Sequence, residues 1–133
     1  MSGDVDKKAT WAEISAARDA EMQERKTLKA PFGELNAEFI IRRLTTNESD
    51  ICQALMHATV SKKKEVEIPA SAGPRNAEVC RYGIVSGPEG FDSRNRKHID
   101  KLGADLRDEI ASCIDDFSAL DEATQLSFRE ARV

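Results

Sequence analysis

The side chains best suited to metal or redox chemistry are three cysteines and two histidines, and their spacing serves neither. Cys52, Cys80 and Cys113 lie far apart. Cys52 precedes His57 by five residues, and no second pair follows to complete a tetrahedral zinc site. No serine sits in a Gly-x-Ser-x-Gly elbow, so a nucleophile held on a strained turn is not expected. The glycine-rich loops that wrap phosphates, G-x-x-x-x-G-K and G-x-G-x-x-G, are also missing. Gly83, Gly87 and Gly90 read as loop punctuation, and Asp115–Asp116 as a solvated helix face. What remains is a small basic cluster, Arg94, Arg96 and Lys97, a candidate anion contact. In a chain of net charge −4 it reads more simply as solvated loop, and no nucleic-acid partner is expected. The residues therefore predict no catalytic centre, no metal and no cofactor, and not an enzyme.

The elements that would carry any site are clearer than the site. From Leu35 to Ile41 the apolar residues Leu35, Ala37, Phe39 and Ile41 alternate, as on a strand with one buried face. After Leu44 the spacing changes to Ile51, Leu55, Ala58, which is helical. Between them Thr45 and Glu48 have capping-box spacing, each able to satisfy a backbone N–H at the new helix start. Strand, abrupt turn and helix follow from that pattern. Thr10 and Glu13 repeat the box upstream, opening a helix that runs to about Thr27. Its apolar stripe is thin: Trp11, Ile14, Ala17 or Arg18, then Met22. Such a helix gains little from docking on its own core and reads either as an arm that packs on a partner or, more simply, as a solvated helix anchored by Trp11.

Pro31 and Gly33 place a turn in Lys29–Glu34, with a short strand at Thr27–Ala30 pairing with the strand from Leu35. A long loop is expected over 60–76, including Lys62–Lys64, and a helix over Pro74–Val85 with Ala77, Cys80 and Ile84 on one side. Gly87–Lys97 reads as a second loop anchored by Phe91. His98–Phe117 reads as one uninterrupted core helix, with Ile99, Leu102, Leu106, Ile110, Cys113, Ile114 and Phe117 on one face. A short final helix follows, with Ala123, Leu126 and Phe128 turned inward. Each cysteine falls inside one of these helices and reads as a small core residue.

The fold class implied is α+β, mainly α, with four to five helices and a small β-hairpin or strand near residues 27–44. The expected organisation is a disordered tail over 1–8, an N-terminal helical arm over 9–27 and a single compact domain over 28–133. Aromatic residues are few at 5%, so the core must rest on Leu, Ile, Val and Ala. Met1–Asp6 carries no apolar signal region, and no run approaches a membrane span, so a reducing cytoplasm is expected.

Three segments carry a resemblance. The first is the strand-to-helix turn Arg42-Arg43-Leu44-Thr45-Thr46 with its acidic continuation Asn47-Glu48. The second is a helix ending in the Gly-Pro-Glu-Gly loop, Gly87–Gly90. The third is Ile99-Asp100-Lys101-Leu102 running on to Ile114–Leu120. Their order, over about residues 35–128, resembles the small tail assembly chaperones of long-tailed bacteriophages and related prophages. The N-terminal helix lies outside the resemblance. It implies a non-enzymatic protein of the host bacterial cytoplasm that coats the hydrophobic tape-measure protein until tail tube subunits polymerise around it. The implied partners are the tape-measure protein and the major tail tube protein, with a small homo-oligomer expected. Exposed apolar positions would make the client contact: Trp11, Ile14, Met22, Met56 and Phe91. Two other classes stay open: a head–tail connector or neck-type virion subunit, and a cytoplasmic regulatory module using Arg94, Arg96 and Lys97.

Overall fold

The four residues Arg42–Thr45 turn the chain from strand into helix, and much of the fold is fastened to them. In the computed structural model, which describes residues 8–32, 34–63, 72–119 and 122–131, strand β2 (Leu35–Ile41) leads into this corner and helix α2 (Thr46–Lys63) leaves it. The expected capping box is formed: Glu48 N–H donates to Thr45 Oγ1 at 3.1 Å, and Thr45 N–H to Glu48 Oε1 at 2.9 Å. Arg42 grips the same carboxylate with both terminal nitrogens, at 2.9 and 2.6 Å. Leu44 is buried, and its N–H donates to Ser118 Oγ at 3.0 Å.

Burial alone would raise the Glu48 carboxyl. Hydrogen bonds from Arg42 and from Thr45 outweigh it and hold the group below its ordinary 4.5. Its contribution is therefore present above pH 4.5 and lost as pH falls through the lower folded value. Glu48→Gln is expected to flatten the acid limb of stability below pH 4.5, measured as urea midpoints across pH. An unchanged acid limb would count against that linkage.

Strand β1 (Lys26–Phe32) pairs antiparallel with β2, Lys26 opposite Ile41 and Phe32 opposite Leu35. The expected hairpin is present and starts slightly earlier. Helix α1 (Trp11–Gln23) consequently stops short of Thr27, because Lys26 and Thr27 are already committed to the ladder with Ile41 and Ile40. A third strand completes the sheet, in the order β1-β2-β3. It is β3 (Ile84–Ser86), which the sequence pattern assigns to the end of a helix. Helix α3 (Gly73–Gly83) instead ends at Gly83, and the β-branched Ile84 and Val85 turn to lie beside β2.

The long core helix is two helices, α4 (Arg96–Lys101) and α5 (Ala104–Ser118), broken at Gly103. Gly103 adopts φ +88°, a conformation that favours glycine and interrupts the helix. The apolar face survives the break: Ile99, Ile110 and Ile114 are buried, with Leu102, Leu106, Cys113 and Phe117 packed beside them. This break raises the helix count among the described residues to six, against the four to five expected. The class is α+β, mainly α.

Helix α3 packs between α2 and α5. Arg75 of α3 ties it to α5 through both oxygens of Asp115, at 2.6 and 2.9 Å. Cys52 and Cys80 lie in the core, where burial raises both thiols, Cys80 to about 12, and Cys113 is raised by the same cause. They stay protonated at neutral pH and act as packing groups.

Two further expectations change. Helix α2 continues to Lys63, into the stretch expected as loop, and 64–71 lie outside the described residues. In helix α6 (Glu122–Ala131) Leu126 is 55% exposed rather than turned inward. None of the described α6 side chains is buried. The side chains of Ala123 and Phe128 lie outside the described residues, as do residues 1–7 of the expected tail.

Candidate functional site

Where β2 begins, it runs past the end of its neighbour. The three-residue β3 covers only Ile40 and Ile41, and the chain then turns away at Gly87 and Pro88. Beside the uncovered half of β2 lies an apolar groove of about 380 Å³, lined by Leu35, Ala37, Phe39, Pro88, Phe91 and Leu102 together with Asn36. A second hollow of about 280 Å³ adjoins it, sharing Phe91 and Leu102 and adding Gly90, His98 and Lys101.

Each wall has a local cause. Strand alternation turns Ala37 and Phe39 to one face, and Phe39 is buried while Leu35, at the open end, is 74% exposed. Gly87 allows the loop to lie flat on the aromatic pair: a Cβ there would meet Phe91 at 2.8 Å and Phe39 at 3.1 Å. Phe91 stands edge-on to Phe39 with ring centroids 5.6 Å apart. His98 fixes the loop from the other side, its Nδ1 accepting from the Asp92 N–H at 2.9 Å. His98 thereby serves as a loop fastener. Ser93 Oγ donates to the Ile84 carbonyl at 3.0 Å and anchors the same loop to β3.

Of the five expected client contacts, Phe91 alone lines this groove. Trp11 and Ile14 stand on α1, 78% and 44% exposed. Met22 near the end of α1 and Met56 on α2 are half-buried. The groove's other walls, Leu35, Phe39, Pro88 and Leu102, were readable only as core or turn residues. Their convergence depends on β3 being short, which no periodicity announces.

The basic cluster does not converge on a ligand. Arg94 lies 3.6 Å from Asp92 and Arg96 3.0 Å from Asp100, so two of its three cations already face carboxylates. Lys97 is exposed, its backbone N–H taken by the Asn95 side chain at the start of α4. Among the described residues no group of three or more His, Cys, Asp or Glu is arranged to hold a metal, and no helix is long and apolar enough to cross a membrane. Comparison with protein families, curated proteins and solved structures finds no match for this chain.

Proposed function

We propose that this chain is a non-enzymatic tail assembly chaperone of a long-tailed bacteriophage or prophage. It acts in the host cytoplasm and holds an apolar helical segment of the tape-measure protein until tail tube subunits assemble around it. The observation that carries this reading is the apolar groove around Phe91. A client helix presents apolar side chains at i, i+3 or i+4, and a groove of this size and lining accepts one or two of them. The three sequence segments behind the resemblance also support it. The first forms the corner that fastens β2 to α2 and α5, and the second supplies Pro88 to the groove wall. The third supplies Leu102.

Co-expression with the tape-measure protein of the same phage tests the reading. The client is expected in the soluble fraction with this chain and in the pellet without it. Equal aggregation in both cases removes the chaperone function.

One observation favours a second reading, a head–tail connector or neck-type subunit. Helix α1 has no buried residue, as expected of an arm ordered by ring neighbours. Quantitative mass spectrometry of purified virions separates the two, since a connector stays in the particle at many copies and a chaperone leaves.

A further inference from the structure

Helix α1 is attached to the rest of the protein in an unusual way. None of its 13 residues is buried, and it carries no basic residue in its last turn. Helix α5 likewise ends without one. Both C-termini therefore present carbonyl oxygens at the negative end of a helix dipole; just past α1 the flanking Arg25 donates to the Met22 carbonyl at 3.0 Å, which leaves the Glu21 and Phe117 carbonyls facing the body. A single side chain from the corner serves both. Arg43 Nη1 donates to the Glu21 carbonyl at 2.7 Å, and Arg43 Nε to the Phe117 carbonyl at 2.9 Å. The same guanidinium lies 3.3 Å from the Glu24 carboxylate and 4.2 Å from the centre of the Phe117 ring. The Arg43 side chain is only 20% exposed, while Glu24 is 55% exposed.

The rest of the boundary is largely polar. A cavity of about 510 Å³ separates arm from body, lined by polar groups including Arg18, Glu21, Lys26, Asp116 and Ser118. Of the larger apolar residues of α1, Trp11 is 78% and Ile14 44% exposed, and Met22 near its end is half-buried. A helix of this length is marginal in water without tertiary support.

We propose that α1 is a latched arm, held to the body by Arg43 bridging the C-termini of α1 and α5, and that it opens and melts as a unit while the core stays folded. Arg43 is a positioning residue: it touches no client, and it sets where the arm carrying Trp11 and Ile14 is held. Water in the cavity can satisfy the Glu21 and Phe117 carbonyls once the guanidinium leaves, so opening strands no polar group. The inference stands independently of the chaperone reading, because it concerns only the coupling of arm to body.

The chain has one tryptophan, Trp11, so its emission reports the arm alone. In Arg43→Ala, amide exchange over 11–23 is expected to rise on the order of tenfold or more, as befits lost charge-assisted hydrogen bonds, with exchange in α3 and α5 near wild type. Trp11 anisotropy should fall in parallel. Arg43→Lys keeps the charge without the fork and is expected to restore protection partly. Glu24→Ala, at an exposed position, should give a smaller rise confined to the same residues. Unchanged exchange in Arg43→Ala overturns the latch. So does a rise spread equally over α3 and α5, or failure of that variant to fold, since either would make Arg43 a core residue.

Discussion

Gly83→Ala is expected to cost about 1–3 kcal/mol as an overpacked core, and Ile114→Ala about 2–5 kcal/mol as a cavity, yet the double variant should lose well under their sum. The reason is one close approach. A Cβ on Gly83 would lie 2.6 Å from Cδ1 of Ile114, 2.7 Å from Cγ2 and 3.0 Å from Cγ1. Ile114 is fully buried, so its side chain has nowhere to move. A competing effect has the opposite sign. Gly83 is the last residue of α3 and lacks a positive φ, so alanine there gains up to about 1 kcal/mol of helix propensity. The three short contacts outweigh that gain in the single variant. With Ile114 cut back to alanine all three contacting atoms disappear, the new methyl partly fills the cavity, and the propensity gain emerges. A coupling of about 1 kcal/mol or more in urea unfolding is the expected result. Additivity within about 0.5 kcal/mol would mean that α3 and α5 yield at this crossing.

That crossing also explains why the sequence was legible in some places and not in others. The capping boxes at Thr10 and Thr45 are local devices, complete within four residues, and both formed as the spacing implied. The alternation from Leu35 and the apolar face from Ile99 to Phe117 report one buried side each, and burial followed them. The failures lie where a distant partner decides. Ile84 continues the period of α3, but Ile41 offers it a ladder and Gly83 offers the exit. Gly103 sits between Leu102 and Leu106 without disturbing their spacing, so periodicity runs across a real break. Leu126 keeps an amphipathic spacing yet is 55% exposed, on a helix none of whose described side chains is buried. Arg43 was legible only as part of a motif. Its role depends on two helix ends, at Glu21 and Phe117, that no local pattern brings together.

The same dependence on geometry decides how the proposed client contact should be tested. Phe91→Ala would be a poor probe, because Phe91 packs edge-on against the buried Phe39 and its loss would damage core and groove together. Leu35 is better placed. It lines the groove, is 74% exposed, and stands at the hairpin end, opposite Phe32 in the ladder. Leu35→Asp should therefore change stability by no more than about 0.5–1 kcal/mol, the range of a surface strand position. Against a client helix the effect is much larger. Lost leucine burial is worth about 1.5–3 kcal/mol, which alone is about tenfold or more in affinity. The new carboxylate would also have to be desolvated beside an apolar partner, which adds to the loss. The tape-measure protein is then expected to return to the pellet while the variant itself unfolds near the wild-type temperature. Leu126→Asp provides the matched control, a 55% exposed leucine on α6 that does not line the groove. It should leave the client soluble. If instead Leu126→Asp releases the client and Leu35→Asp does not, the gripping surface is the face of α6, and the groove beside β2 has another use.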